Sequence, residues 1–262
     1  MNYFGVPCVA PINTFGCRVV DMSAGERRSA TRTAVVWAAV QRVLDQEAED
    51  AAPARVLDIG GGTGGFAVRL AGLGHRVTVV DPSPDALAAL GRRAAESGVT
   101  DLVTGVQGDL AGLPGLVQDD ADLVLCHGVL EVVPDHAAAL ATLRTVLRPG
   151  GTLSLLVAQR HAAVVARAMA GHFQQALALL EGQHDTGRAG HRFTREELTD
   201  LLAAAGLEVA EVHGVRVFAD LVPGSLLDLE PGATAALVEL EQAVAERPEY
   251  LPLATQLHLL AR

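Results

Sequence analysis

The sequence predicts an α/β fold: a mostly parallel, seven-stranded sheet with helices on both faces. Three observations predict it. Short apolar runs alternate with helical patterns, the order expected when parallel strands are joined by crossover helices. The first of those runs leads straight into a glycine-rich turn. Half of the 262 residues are apolar, enough to bury both faces of such a sheet.

Residues 1–28 show no periodicity and are expected to form an N-terminal arm or lid ahead of one domain at 29–262. Met22 offers an alternative start, so residues 1–21 stand apart from the rest. Within 30–47, Val36, Val40, Val43 and Leu44 recur at helical spacing. Strands are expected at Arg55–Ile59, Arg76–Val80, Leu102–Val106, Asp122–Cys126 and Thr152–Ala158. Helices are expected at Phe66–Leu73, Pro84–Ser97 and His136–Leu147. Arg148-Pro149-Gly150-Gly151 reads as a turn before the fifth strand. Residues 160–192 read as an insertion on the acceptor side, ending in a polar loop. Thr194 with Glu197 three residues on forms a capping box that opens the next helix. Leu207–Val217 and Leu251–Leu260 complete the strands.

Composition excludes several classes. The net charge is −11 and all 20 basic residues are arginine, so there is no general positive field for nucleic acid. Arg160, Arg167, Arg188 and Arg192 make at most a local patch or a solvated face. Cys8, Cys17 and Cys126 form no CxxC pair, which points to a reducing, cytoplasmic setting without a zinc site. The histidines show no paired metal spacing, and no metal is expected; His184 and His191 read as surface residues of the polar loop. No apolar run is long enough to span a membrane, and the N-terminus lacks a secretory pattern.

The strongest local motif is Val56-Leu57-Asp58-Ile59-Gly60-Gly61-Gly62-Thr63-Gly64. Glycines let a ligand approach the main chain, and the following helix offers free N–H groups. This is a Rossmann-like arrangement. Gly60, Gly62 and Gly65 also fit a dinucleotide spacing, with Asp81 about 20 residues on, so the loop alone fits NAD as well. Three acids favour S-adenosyl-L-methionine instead. Asp58, inside the loop, suits a cationic amino group and would repel a pyrophosphate. Asp81 ends the second strand, where a carboxylate can accept from both ribose hydroxyls, and Gly108-Asp109 follows the third, beside an adenine amino group. His127 ends the fourth strand, near the transferred methyl, either packing there or acting as a general base. Arg216 lies in an apolar strand and needs an anionic partner, which is an internal carboxylate or a substrate acid. Arg32 can reach the methionine carboxylate of the cofactor.

At these residues the sequence resembles the class I S-adenosylmethionine-dependent methyltransferases. More narrowly it resembles the bacterial family that esterifies the carboxylate of 5-carboxymethoxyuridine in tRNA. Thr31-Arg32, Trp37, Asp58–Gly64, Asp81, Asp109, His127, Val129-Leu130-Glu131, Gly214-Val215-Arg216-Val217-Phe218 and Leu237–Glu241 carry the likeness. The resemblance implies cofactor contacts at Arg32, Gly60, Gly61, Asp81, His127 and Gln107-Gly108. The family's lysine-rich loop after the fifth strand is replaced here by a near-neutral one, and its aromatic residues there by Ala158-Gln159-Arg160. The acceptor is thus tRNA or a small carboxylate-bearing molecule. With an ionised carboxylate no base is needed and Arg216 orients the acid; with a hydroxyl or amine, His127 or Glu131 is the candidate base. An NAD-dependent oxidoreductase is the remote alternative.

Overall fold

The computed structural model describes residues 24–47, 53–117, 120–182, 190–227 and 232–262. Most of the expected arm (residues 1–23, with Cys8, Cys17 and Met22) lies outside them, as do 183–189 with His184 and Arg188.

Strand β1 (Arg55–Ile59) is buried at every position after Arg55, as befits a strand covered on both faces. It pairs in parallel with β2 (Arg76–Asp81) and β4 (Ala121–His127), and β2 pairs with the edge strand β3 (Val103–Gln107). Beyond β4 come β5 (Leu147–Ala158), β7 (Gln256–Ala261) and β6 (Val209–Val215), giving the order β3-β2-β1-β4-β5-β7-β6. Only β7 runs antiparallel to its neighbours. The described helices are α1 (Ala24–Glu47), α2 (Ala67–Gly72), α3 (Pro84–Glu96), α4 (Leu113–Leu116), α5 (His136–Val146), α6 (Arg160–Met169), α7 (Phe173–Leu180), α8 (Arg195–Ala204), α9 (Gly224–Leu227) and α10 (Ala233–Val244).

Alternation along β4 divides the core. Leu123 and Leu125 pack with Val36, Val40, Leu70 and Leu90 from α1, α2 and α3. Val124 and Cys126 pack with Leu140, Leu143, Leu198 and Leu202 from α5 and α8 on the other face. Cys126 is fully covered, and burial pushes its thiol up to about 12, so it is inert packing. The capping box at Thr194 and Glu197 forms in both directions.

Three boundaries differ from expectation by more than two residues. The first helix starts at Ala24, inside the span assigned to the arm. Arg148–Gly151 lies within β5 as a bulge, because Ala121 pairs with Leu147 while Leu123 already pairs with Thr152. Leu251–Leu253 is a short 3-10 turn, so the last strand begins at Gln256. No helix among the described residues is long and apolar enough to cross a membrane.

Candidate active site

The loop after β1 turns on three glycines in the left-handed region, with φ of 68° at Gly60, 55° at Gly62 and 77° at Gly64. Space is as demanding as angle: a Cβ at Gly60 would lie 2.5 Å from Val129 Cγ2, and one at Gly61 2.4 Å from Asp58 Oδ2. Gly61 is therefore small because the Asp58 carboxyl occupies the space beside it. Asp58 is 4% exposed, and burial, with the nearby Asp81 charge added, pushes its pKa up to about 7.

Asp81 ends β2 and accepts from the N–H of Gly62 at 3.0 Å and of Ser83 at 2.8 Å. Each carboxylate oxygen keeps a second acceptor site for a ligand hydroxyl. Gly108 packs under the Leu116 side chain, whose Cδ1 would lie 2.2 Å from an added Cβ and would have to move aside. Asp109 is exposed and its Oδ1 caps the turn at Leu110–Gly112 through Gly112 N, at 3.0 Å. The cap explains the residue locally and leaves Oδ2 for other contacts.

His127 ends β4 and joins Phe66 in an edge contact of 5.2 Å, while Phe66 meets Trp37 of α1 at 5.8 Å. Its side chain keeps some solvent exposure, yet burial of the ring pushes its pKa down to about 4, so it is neutral at pH 7. Glu131 is tied to the end of β5, accepting from Ala158 N at 2.8 Å. Its other oxygen, Oε2, is buried without a hydrogen-bond partner among the described residues, and burial raises its pKa.

Arg32 and Arg216 converge elsewhere. Both reach Asp220, Arg32 at 3.5 Å and Arg216 in a short contact. The internal carboxylate left open by the sequence is thus Asp220. Arg216 is the one described non-glycine residue with positive φ, at 61°. Thr255 Oγ1 holds its carbonyl at 3.0 Å, and Glu241 accepts the next three N–H groups, of Val217, Phe218 and Ala219. Arg216 Nε is buried with no hydrogen-bond partner among the described residues. Close by, Asp220, Val217 and Thr255 line a 250 Å³ groove together with Val165, Met169 and Arg192.

Helices α6 and α7 belong to the expected insertion, which leaves and returns at one point. Arg160 N donates to Phe193 O at 2.9 Å, Phe193 N to Ala158 O at 3.0 Å, and His191 N to Glu131 O at 2.8 Å. Arg160 also pairs with Glu197 at 2.6 Å. His191 is part-buried, its ring 4.3 Å from that of Phe193 and 4.7 Å from His136, which corrects its reading as a surface residue.

Sequence reasoning missed Ser154, His213 and His258, which are buried and hydrogen-bonded on the face beneath α1. The available signal was a polar residue inside each of three apolar strands. Glu211, His213 and Glu246 bring ligand-type atoms within 4.8 Å of one another, but the Arg42 guanidinium already lies 2.7 Å from Glu211.

A parallel sheet whose last-but-one strand is reversed, with a glycine loop after β1 and an acid ending β2, defines a class I S-adenosylmethionine-dependent methyltransferase. The chain belongs to the family described as "Methyltransferase domain", which matches residues 29–212. It is 30% identical over 239 residues to the tRNA 5-carboxymethoxyuridine methyltransferase of Escherichia coli K12, covering 91% of this chain and 90% of that protein. It is 35% identical over 166 residues to a ubiquinone biosynthesis O-methyltransferase of Xanthomonas euvesicatoria pv. vesicatoria, covering 63% and 66%. The fold is shared with the CcbJ methyltransferase of Streptomyces caelestis (TM-score 0.57, 18% identity, 89% of each chain). Magnesium protoporphyrin IX methyltransferase of Synechocystis PCC 6803, solved with bound SAH, shares it too (TM-score 0.56, 15% identity, 89% and 82%).

S-adenosylmethionine is accordingly the cofactor, and the site's chemistry fits it. A buried acid raised to about 7 gains from a cationic ligand, whereas a pyrophosphate would meet Asp58 as a like charge.

Proposed function

We propose that the chain methylates a carboxylate, and that this carboxylate is the one on 5-carboxymethoxyuridine in tRNA, in the cytoplasm. Arg216 carries this reading. A non-glycine residue at φ 61° is costly, and such strain persists where the surroundings over-determine it, often at sites. The strained residue keeps a buried, unpartnered Nε–H, and its neighbour Val217 and its ion-pair partner Asp220 line the groove, which brings a guanidinium near any oxyanion bound there. The similarity over 91% of the chain supports the tRNA acceptor.

On this reading the bound cofactor supplies an electrophilic methyl on its sulfonium. Asp58 takes the amino group, Asp81 the ribose hydroxyls, Gly108 and Asp109 flank the adenine, and the backbone of Gly60, Gly61, Gly62 and Gly64 lines the approach. Arg32, half-exposed and only 3.5 Å from Asp220, exchanges that partner for the methionine carboxylate. Arg216 orients the acceptor, and His127 borders the reacting atoms. An ionised acceptor needs alignment rather than proton removal. The insertion at 160–192 forms the acceptor side.

One observation favours a second reading, a small-molecule O- or N-methyltransferase. The groove is rimmed by exposed Val165, Met169, Leu221 and Leu253, and Arg160 is spent on Glu197, so the basic patch that tRNA would favour is weak. Labelled S-adenosylmethionine incubated with total tRNA from a strain lacking the gene decides between them. Alkali-labile label in tRNA supports the ester. Absence of label, with S-adenosylhomocysteine bound in calorimetry, transfers the function to a small acceptor.

A further inference from the structure

On the sheet face beneath α1, five side chains touch end to end. His127 Nε2 lies 2.9 Å from Ser154 Oγ, and Ser154 Oγ 2.8 Å from His258 Nε2. His258 Nδ1 lies 3.2 Å from His213 Nδ1, and His213 Nε2 3.2 Å from Arg42 Nη2. The order follows the sheet: β4, β5, β7, β6, then the covering helix α1. Register places His213 directly opposite His258. Ser154 and His258 are 0% exposed and His213 2%, so water does not compete for these bonds.

A hydrogen bond needs one proton, so the protons along such a chain are set together. A guanidinium only donates and stays charged. The tautomer in which His213 Nε2 accepts from Arg42 leaves the proton of His213 on Nδ1. That N–H donates to His258 Nδ1, so His258 carries its proton on Nε2. His258 donates to Ser154 Oγ, the Ser154 hydroxyl donates to His127 Nε2, and His127 keeps its proton on Nδ1. Burial lowers the pKa of all three imidazoles, so each carries one proton at neutral pH. His127 Nδ1 has no hydrogen-bond partner among the described residues.

The opposing influence is a pair of carboxylates. Glu211 and Glu246 lie 3.2 and 3.5 Å from His213 Nε2 and would draw a proton onto it. Arg42 holds both, at 2.7 and 3.7 Å, and both are open to solvent, which screens them.

We propose that Arg42, acting through His213, His258 and Ser154, fixes the tautomer of His127, so that His127 offers Nδ1–H as an uncharged hydrogen-bond donor to the acceptor carboxylate. Arg42, His213, His258 and Ser154 are positioning residues. The identity of the group that His127 meets rests on the carboxylate reading; the tautomer does not. A neutral imidazole N–H is too weak an acid to protonate a carboxylate, so it holds the nucleophile without quenching it. The same tautomer removes His127 as a general base at Nδ1.

Nitrogen-15 NMR of the histidine rings tests this without any acceptor present. The expected protonated atoms are Nδ1 of His127, Nε2 of His258 and Nδ1 of His213. Arg42→Met, a change on an exposed side chain, leaves His213 with the carboxylates alone, and all three tautomers reverse. Ser154→Ala leaves His213 and His258 as they are and frees His127 from its preference. Wild-type His127 protonated at Nε2, or unchanged tautomers in Arg42→Met, overturns the proposal. In turnover, Arg42→Met is expected to raise the acceptor KM about tenfold while S-adenosylhomocysteine affinity holds. Ser154→Thr should restore what Ser154→Ala loses. An unmoved KM alongside reversed tautomers overturns the donor role. Tautomers as stated with unlabelled tRNA reject the tRNA acceptor and uphold the chain.

Discussion

Around β1 and β2 the groups proposed to face the cofactor come from one strand–helix–strand unit: Asp58 against Gly61, Asp81 bonded to Ser83 and, across 19 residues, to Gly62. Around β5, β6 and β7 the polar groups come together from far apart, Arg42 meeting His213 across 171 residues and Ser154 meeting His258 across 104. The first region is built by local backbone geometry and the second by strand register. Damage should therefore spread differently: changes in the loop act through strain and space, changes in the far half through lost partners.

The largest effect is expected at Asp58. Its folded pKa, about 7, stands above the ordinary 3.8, so the native state holds the proton longer than the unfolded chain. The stabilisation is complete below 3.8 and is lost as pH rises through about 7, up to about 4 kcal/mol by the shift. Thermal melts of ligand-free protein from pH 4 to 8 should show this slope, and Asp58→Asn should flatten it. Equal slopes would mean the carboxyl is better solvated than its 4% exposure suggests.

Gly64→Ala sharpens the contrast next. The new Cβ meets Leu90 Cδ1 at 2.1 Å on a backbone at φ 77°, which together cost about 3 kcal/mol. Urea unfolding should show a lower midpoint at constant slope. Asp81→Asn should weaken S-adenosylhomocysteine binding by about 2 kcal/mol in calorimetry, and an unchanged affinity would remove it from the ribose. In the far half, Glu241→Gln loses charge-assisted bonds to three N–H groups and should cost about 1.5 kcal/mol of stability. Smallest is Arg32→Met, whose half-exposed pair with Asp220 is worth under about 1 kcal/mol to folding. If it weakens cofactor binding more than it weakens folding, Arg32 has left Asp220 for the ligand.

The same contrast explains what could be read from the residues alone. Strand positions, the glycine loop and the capping box at Thr194 were legible because periodicity, φ > 0 and a four-residue motif are local properties. The end of the last strand was legible and its start was not, since Leu251–Leu253 has the apolar content of a strand but closes as a 3-10 turn. Arg216 was singled out as needing an anion, yet its partner Asp220, four residues on, became visible only once the chain turned at φ 61°. His213 and His258 were invisible as a pair because nothing local states that β6 and β7 lie side by side. Glu241 fell in a segment matched by resemblance, but its work, holding the turn after β6, is a tertiary fact.

The neck of the insertion has an evolutionary consequence. Residues 160 and 193 are joined by a backbone bond, and Gln159 bridges Phe193, so the chain between them begins and ends at one spot on the sheet rim. Lengthening a closed excursion adds little entropy cost, about 0.6 kcal/mol per doubling. On the proposed reading, in which this segment forms the acceptor side, it can be traded like a cassette, each version suited to another client, without disturbing the register of the strands it springs from.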